Sequence, residues 1–151
     1  TLVQTGKSHL VPIVLCDEPG GTYWKHWRAY VKAELLGSGM ISPPDMELFT
    51  VTDRAEDAVR SILQFYRRYH SMRYVGEELV LRLQSPLSSD TLDHLQTQYA
   101  AILTGGRIEQ SQGPLADENG ELPDLWRLRF AFDRRSAGRL RKLVDEINEA
   151  P

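Results

Sequence analysis

The chain has 151 residues, 41% of them hydrophobic and 26% charged, with a net charge of −3. That composition suits one ordinary globular domain or two small ones. An acidic balance argues against a nucleic-acid binder driven by phosphate attraction. No apolar run approaches the length of a membrane span, and the first residues do not read as a signal peptide. The single cysteine, Cys16, allows no intramolecular disulfide. It lies in an apolar run, where a small buried hydrophobe is expected, and suits a reducing, cytoplasmic setting.

Taken in order, Thr1–Lys7 reads as a helix tail entering a turn, and Val11–Cys16 as a strand buried on both faces. Such strands belong to parallel sheets with several neighbours, so the segment reads as cut from a larger sheet. The loop Asp17-Glu-Pro-Gly-Gly-Thr22 follows. A helix from Tyr23 to about Leu36 would bury Trp24, Trp27, Val31 and Leu35, with Gly37-Ser-Gly39 as its stop. Ser42–Asp45 is a turn and Met46–Thr52 a short strand. Asp53 and Glu56 form a capping-box pattern. The helix they open would run to about His70 and bury Ala58, Val59, Ile62, Leu63, Tyr66 and Tyr69.

His70–Gly76 is the expected seam between two parts, 1–75 and 76–151. Glu78–Gln84 alternates as a half-buried strand. A helix from Asp90 to about Leu103 would bury Leu92, Leu95, Tyr99 and Ile102, with Gly105-Gly106 stopping it. Arg107–Gln112 is a weak strand and Gly113–Asp124 a loop. Trp126–Phe132 alternates most clearly of all. Asp133 would cap a last helix that buries Ala137, Leu140, Leu143, Val144 and Ile147. The fold class is therefore α/β. A strand-helix-strand-helix remnant of a Rossmann-like parallel sheet precedes a small α+β, ferredoxin-like β-α-β-β-α domain lacking its last strand.

Several segments in order carry a family likeness: Gln4-Thr-Gly-Lys7, Val11–Leu15, Tyr23-Trp24, Gly39–Pro43 with Asp45, and Leu48–Asp53. Together they resemble the LOG family, Rossmann-type proteins once labelled lysine decarboxylase-like. The likeness spans roughly residues 1 to 75. It implies a parent that is a nucleoside 5′-monophosphate phosphoribohydrolase, releasing free base and ribose 5-phosphate. It implies a nucleotide substrate, a homo-oligomer and no cofactor. Residues 78–150 look like a small domain appended in some bacterial members. The family signature PGGxGTxxE, with its catalytic Glu, would lie upstream of Thr1, so the 151 residues alone would be inactive and no catalytic residue is assigned among them. Pro19-Gly20-Gly21-Thr22 imitates half of that signature but lacks the second Gly-Thr and the Glu.

Loops after the carboxyl ends of parallel strands face the ligand crevice. That makes Gly20, Gly21, Thr22, Tyr23, Thr52 and Asp53 the ligand-side candidates, although Asp53 also reads as a helix cap and Tyr23 as packing. Arg135, Arg139 and Lys142 share one helix face and are the anion-binding candidates, against the alternative of a solvated face. His9, His26, His70 and His94 have no metal-ligand spacing, and no metal site is assigned. A rival reading makes the second half a regulatory or assembly module that binds a small effector, or pairs subunits through an exposed sheet face.

Overall fold

The structure is a computed structural model that describes residues 2–5 and 8–151. Thr1, Gly6 and Lys7 lie outside the described residues, so the helix tail expected over Thr1–Lys7 is only partly covered. Leu2–Thr5 is a turn, closed by the Ser8 amide donating to the Leu2 carbonyl at 3.1 Å.

The architecture is mixed α/β, with one parallel pair and one four-stranded antiparallel sheet. Strands β1 (Ile13–Cys16) and β2 (Phe49–Thr52) pair in parallel, Ile13 opposite Phe49 and Cys16 opposite Thr52. The crossover carries helix α1 (Tyr23–Tyr30), which relaxes into a π-helical stretch over Val31–Leu36. The amides of Gly37 and Met40 reach back five residues, to Lys32 and Leu35. Gly39, at φ 75, supplies the left-handed turn that ends it.

β1 is not buried on both faces as expected. Ile13, Val14 and Leu15 are half-buried and Cys16 is exposed. With one partner strand there is not enough neighbouring chain to close both faces. β2 is shorter than expected because Pro43–Leu48 winds as a 3₁₀ turn. Prolines at its start cannot donate to a ladder. Ser42 and Asp45 cap it reciprocally, the Ser42 amide and hydroxyl each donating to Asp45 Oδ2 at 2.9 Å.

Helix α2 (Ala55–Phe65) stops well short of His70. Asn148, buried on the last helix, explains the stop. Its Oδ1 accepts the amides of Arg68 and Tyr69 at 2.9 Å, and its Nδ2 donates to the Phe65 carbonyl at 2.6 Å. Backbone groups that would have continued the helix are satisfied from outside. Tyr69–Val75 then forms β3, and Gly76 at φ 58 turns it into β4 (Glu78–Leu83). The expected α2 stripe is also not the buried one. Phe65 is buried and Ala58 half-buried, while Val59, Ile62, Leu63 and Tyr66 are exposed and Tyr69 is buried on β3 instead.

Helix α3 (Ser89–Gln98) is capped by the Ser88 hydroxyl accepting the Thr91 amide. It ends before Leu103 in a short 3₁₀ turn, yet Leu95, Tyr99 and Ile102 are buried as expected. Gly105 and Gly106 do not stop it. They lie in β5 (Leu103–Gln112), where the register shifts against β6. β6 (Trp126–Phe132) and α4 (Ala137–Glu149) follow. Asp133 holds the turn ahead of α4 rather than its first residue, accepting the Arg135 and Ser136 amides at 2.9 Å. Strand order is β3-β4-β6-β5, all antiparallel. The expected missing strand is therefore not a gap, since β3 occupies that edge.

One face of this sheet presents Leu79, Leu81, Leu83, Leu128, Phe130 and Phe132 to the core, with Leu95 of α3 and Leu140, Leu143, Val144 and Ile147 of α4. The other face carries Arg82 and Arg127, and it is not open. The loop 113–125 covers it and drives Glu118 between the two arginines. Glu118 and Arg127 are fully buried. Glu118 Oε1 accepts from Arg82 Nε and Nη2 at 2.9 and 2.7 Å. Its Oε2 accepts from Arg127 Nε at 2.8 Å and from the Leu115 amide at 2.9 Å. Arg127 spends its remaining donors on the carbonyls of Glu121, Leu122 and Leu125. The loop closes the Arg82–Arg127 part of this face, whereas Glu78, Arg129 and Ala131 stay half-buried and β5, exposed over Thr104–Arg107, forms one edge of the sheet.

Burial alone would raise the Glu118 pKa. The bonds from Arg127, the Leu115 amide and Arg82 outweigh it and hold the carboxyl at about 2, against 4.5 ordinarily. The folded-state value is depressed, so its contribution is whole above pH 4.5 and is lost as pH falls toward 2. Glu118→Gln should cost about 3–5 kcal/mol at neutral pH, because it leaves buried Arg127 with no counter-charge and Arg82 with only Glu121, 2.9 Å from its Nη2. It should also flatten the acid limb of the stability curve, both measured by denaturant unfolding across pH. At a second site, Gly138 of α4 lies against the 3₁₀ turn, where an added Cβ would meet the Pro44 carbonyl oxygen at 2.0 Å. Gly138→Ala should lower stability by about 1–3 kcal/mol in the same assay.

Candidate functional site

The parallel pair sets the carboxyl ends of β1 and β2 side by side. The Asp17 amide donates to the Thr52 carbonyl at 2.9 Å, joining the two exits. Between them opens a cleft of about 470 Å³, lined by Cys16, Asp17, Gly20, Asp53, Arg54 and Glu56, among others.

Asp53 is not the cap of α2. The helix starts one residue later, after Arg54, which has an extended backbone and no side-chain cap bond. The Asp53 carboxylate instead crosses the cleft. Its Oδ2 accepts the Gly20 amide at 3.2 Å and the Lys25 ammonium at 3.1 Å. The bond from Lys25, then that from the Gly20 amide, hold its carboxyl below the ordinary range. The first loop is pinned at its other end by Asp17. Asp17 Oδ1 accepts the Glu18 amide at 3.2 Å and Oδ2 the Trp24 amide at 3.3 Å, so Asp17 supplies the cap that Thr22 does not. Gly21 has no alternative here, since an added Cβ would lie 2.5 Å from Asp17 Cγ. Gly20 adopts φ 78, a left-handed turn open to glycine.

Of the expected ligand-side residues, the structure brings Gly20 and Asp53 together on the cleft wall. Gly21 and Thr52 support it from behind, Gly21 through its packing on Asp17 and Thr52 through its carbonyl. Thr22 and Tyr23 are exposed where α1 begins, outside the cleft lining. Tyr23 joins an edge-to-face series with Trp24, Trp27 and Phe49, ring centroids 4.9 to 5.9 Å apart. Cys16 and Glu56 also line the cleft. Cys16 was expected inside and Glu56 as half of a capping box. Placing Cys16 at a strand's carboxyl end was the one sequence signal for its exposure.

Arg135, Arg139 and Lys142 do not converge on one site. Arg135 is exposed, Arg139 Nη2 donates to the Gln98 carbonyl at 3.2 Å, and Lys142 pairs with Glu47 at 3.2 Å. Their neighbour Arg141 is buried, its Nε on Asp145 and its guanidinium 4.8 Å over the Phe65 ring. Arg68, from the other basic cluster, donates to Ser85 and to the Ile147 and Pro151 carbonyls. Of the histidines, His70 contacts the Ser71 hydroxyl and His94 lies 3.5 Å from Glu146. Among the described residues, no group of three or more His, Cys, Asp or Glu is placed to hold a metal ion, and no helix is long and apolar enough to cross a membrane.

No protein-family model matches the chain, and neither the curated proteins nor the solved structures include a significant match.

Asp53→Asn should loosen the Pro19–Gly21 turn. Its effect is measured as faster hydrogen exchange at the Gly20 amide, with the amides of β6 unchanged. Because the Asp53 pKa is depressed, the tether should be intact above pH 3.8 and released as pH falls below it.

Proposed function

We propose that the chain is the carboxyl-terminal part of a LOG-type nucleoside 5′-monophosphate phosphoribohydrolase and contributes one wall of its nucleotide crevice. In this reading β1–α1–β2–α2 is a piece of a Rossmann-like sheet. The antiparallel unit is a ferredoxin-like arrangement entered one strand early, with β3 in the place of the usual final strand. The observation that carries the reading is the parallel crossover itself. Its two carboxyl ends meet, and Asp53 reaches across them to hold the glycine turn, the place where open α/β sheets bind ligands.

The chain's own residues shape and orient in this scheme. Asp53 and Lys25 fix the Pro19–Gly21 turn, and Asp17 fixes the start of α1. The 151 residues contain no PGGxGTxxE segment. The carboxylate that would stabilise an oxocarbenium-like transition state, and the phosphate seat, are then supplied by other residues of the parent. The substrate is a nucleotide, the assembly a homo-oligomer and the setting a reducing cytoplasm, where the exposed Cys16 thiol stays free.

The test is titration of the isotopically labelled chain with AMP and with ribose 5-phosphate, followed by amide NMR and by assay for free base. Shifts confined to Gly20, Gly21, Thr52, Asp53 and their neighbours, with no base released, are expected. Unperturbed amides at saturating ligand overturn the crevice assignment. Turnover by the chain alone overturns the division of labour.

A further inference from the structure

Helix α2 carries an apolar seam left exposed among the described residues. Val59, Ile62, Leu63 and Tyr66 are 55%, 41%, 68% and 38% exposed. With Ala55, also exposed, the positions 55, 59, 62 and 66 step by four, three and four, the spacing of a helix-on-helix seam. Scattered exposed apolar residues are ordinary, but a continuous stripe on one helix marks a contact surface. Beside it runs a shallow groove lined by Glu56, Val59, Arg60, Leu63, Gln64 and Arg67.

The charges along that flank specify the occupant. Glu56 stands at the amino end of the seam and Arg67 just past the carboxyl end, on the same flank. Both are exposed, and neither side chain has an ion-pair partner among the described residues. The one acid in between, Asp57, is already engaged with Arg54 and Arg60. Two such helices laid antiparallel about a two-fold axis near Ile62 would put Val59 of each against Leu63 and Tyr66 of the other. Glu56 of each would then meet Arg67 of the other, twice. An isologous contact needs a surface complementary to itself, and this pattern complements its own reversal: acid, apolar, apolar, base meets base, apolar, apolar, acid.

We propose that α2 is a homodimerisation surface, docking antiparallel on α2 of a second copy of this chain. The inference deepens the proposed reading, in which the assembly is a homo-oligomer, by naming the contact surface; loss of the dimer leaves the crevice titration untouched.

Sedimentation equilibrium of the chain should show a monomer–dimer equilibrium. Leu63→Glu, at a site too exposed to affect folding, should abolish the dimer while the circular dichroism and melting curve of the monomer stay unchanged. Glu56→Arg should weaken association about tenfold, since it replaces two ion pairs with two repulsions, and so should Arg67→Glu. The double variant E56R/R67E restores the pairing and should recover association to near the original. A monomer at all accessible concentrations overturns the proposal. So does a dimer insensitive to Leu63→Glu, or a double variant no better than the two single ones.

Discussion

Two arginines on the outer face of the central strands β4 and β6 set the terms for the carboxyl-terminal unit. A guanidinium buried without a counter-charge costs more than a small domain can bear. Arg127 is wholly buried and Arg82 nearly so; Glu118 between them is the one carboxylate that pairs with Arg127, while Arg82 also reaches Glu121. Glu118 in turn is delivered by the 113–125 segment, which has no regular period and could not otherwise hold a fixed path. The charge cluster therefore converts a loop into a third layer over the sheet. Its carbonyls complete the coordination of Arg127, so loop and strand satisfy each other's polar groups.

The amino-terminal unit has no such closure. Its two strands are half-buried, and Val59, Ile62 and Leu63 of α2 face outward. What ties it to the rest is α4. Asn148 terminates α2 and starts β3, Gly138 packs on the 3₁₀ turn before β2, and Lys142 pairs with Glu47 in that same turn. One amphipathic helix thus serves two masters. Its Leu140–Ile147 stripe closes the antiparallel core, and its small and amide residues anchor the parallel pair. Of the basic residues that in sequence suggest a phosphate fork, Lys142 joins that anchoring, Arg139 bonds the Gln98 carbonyl of α3, and Arg135 stays exposed.

The parts of this fold that were legible in the sequence are those in which local pattern and final environment agree. Trp126–Phe132 alternates because one face meets the core, and its strand has the bounds that alternation predicts. The α4 stripe is right for the same reason at helical period. The failures share a different cause. At Tyr69, helical spacing pointed inward correctly but to the wrong element, because the signal that ends α2 lies 83 residues further along, in Asn148. At Asp53, an Asp with Glu three residues on fits a capping box, yet Lys25 and the Gly20 amide compete for the same carboxylate and win. On α2, an apolar stripe says only that something should cover it. It does not say that the cover lies within the same chain.

The charge of the cleft limits what it can contribute. Asp17, Asp53 and Glu56 line it together with Arg54. Asp53 is already neutralised by Lys25, and Asp17 spends both oxygens on backbone amides. Those amides leave Asp17 its charge, so Asp17 and Glu56 stand against one guanidinium that is itself 3.9 Å from Asp57, and the wall is net negative. A phosphate dianion wants an excess of donors, and this wall does not offer one. Carboxylates do accept from hydroxyls. Within the proposed reading, the wall built here therefore faces the sugar or the base, and the phosphate belongs to the opposite side of the crevice. A glycine-rich turn opening onto a helix would present unpaired amides there. The division follows from charge alone, whichever polypeptide supplies the other half.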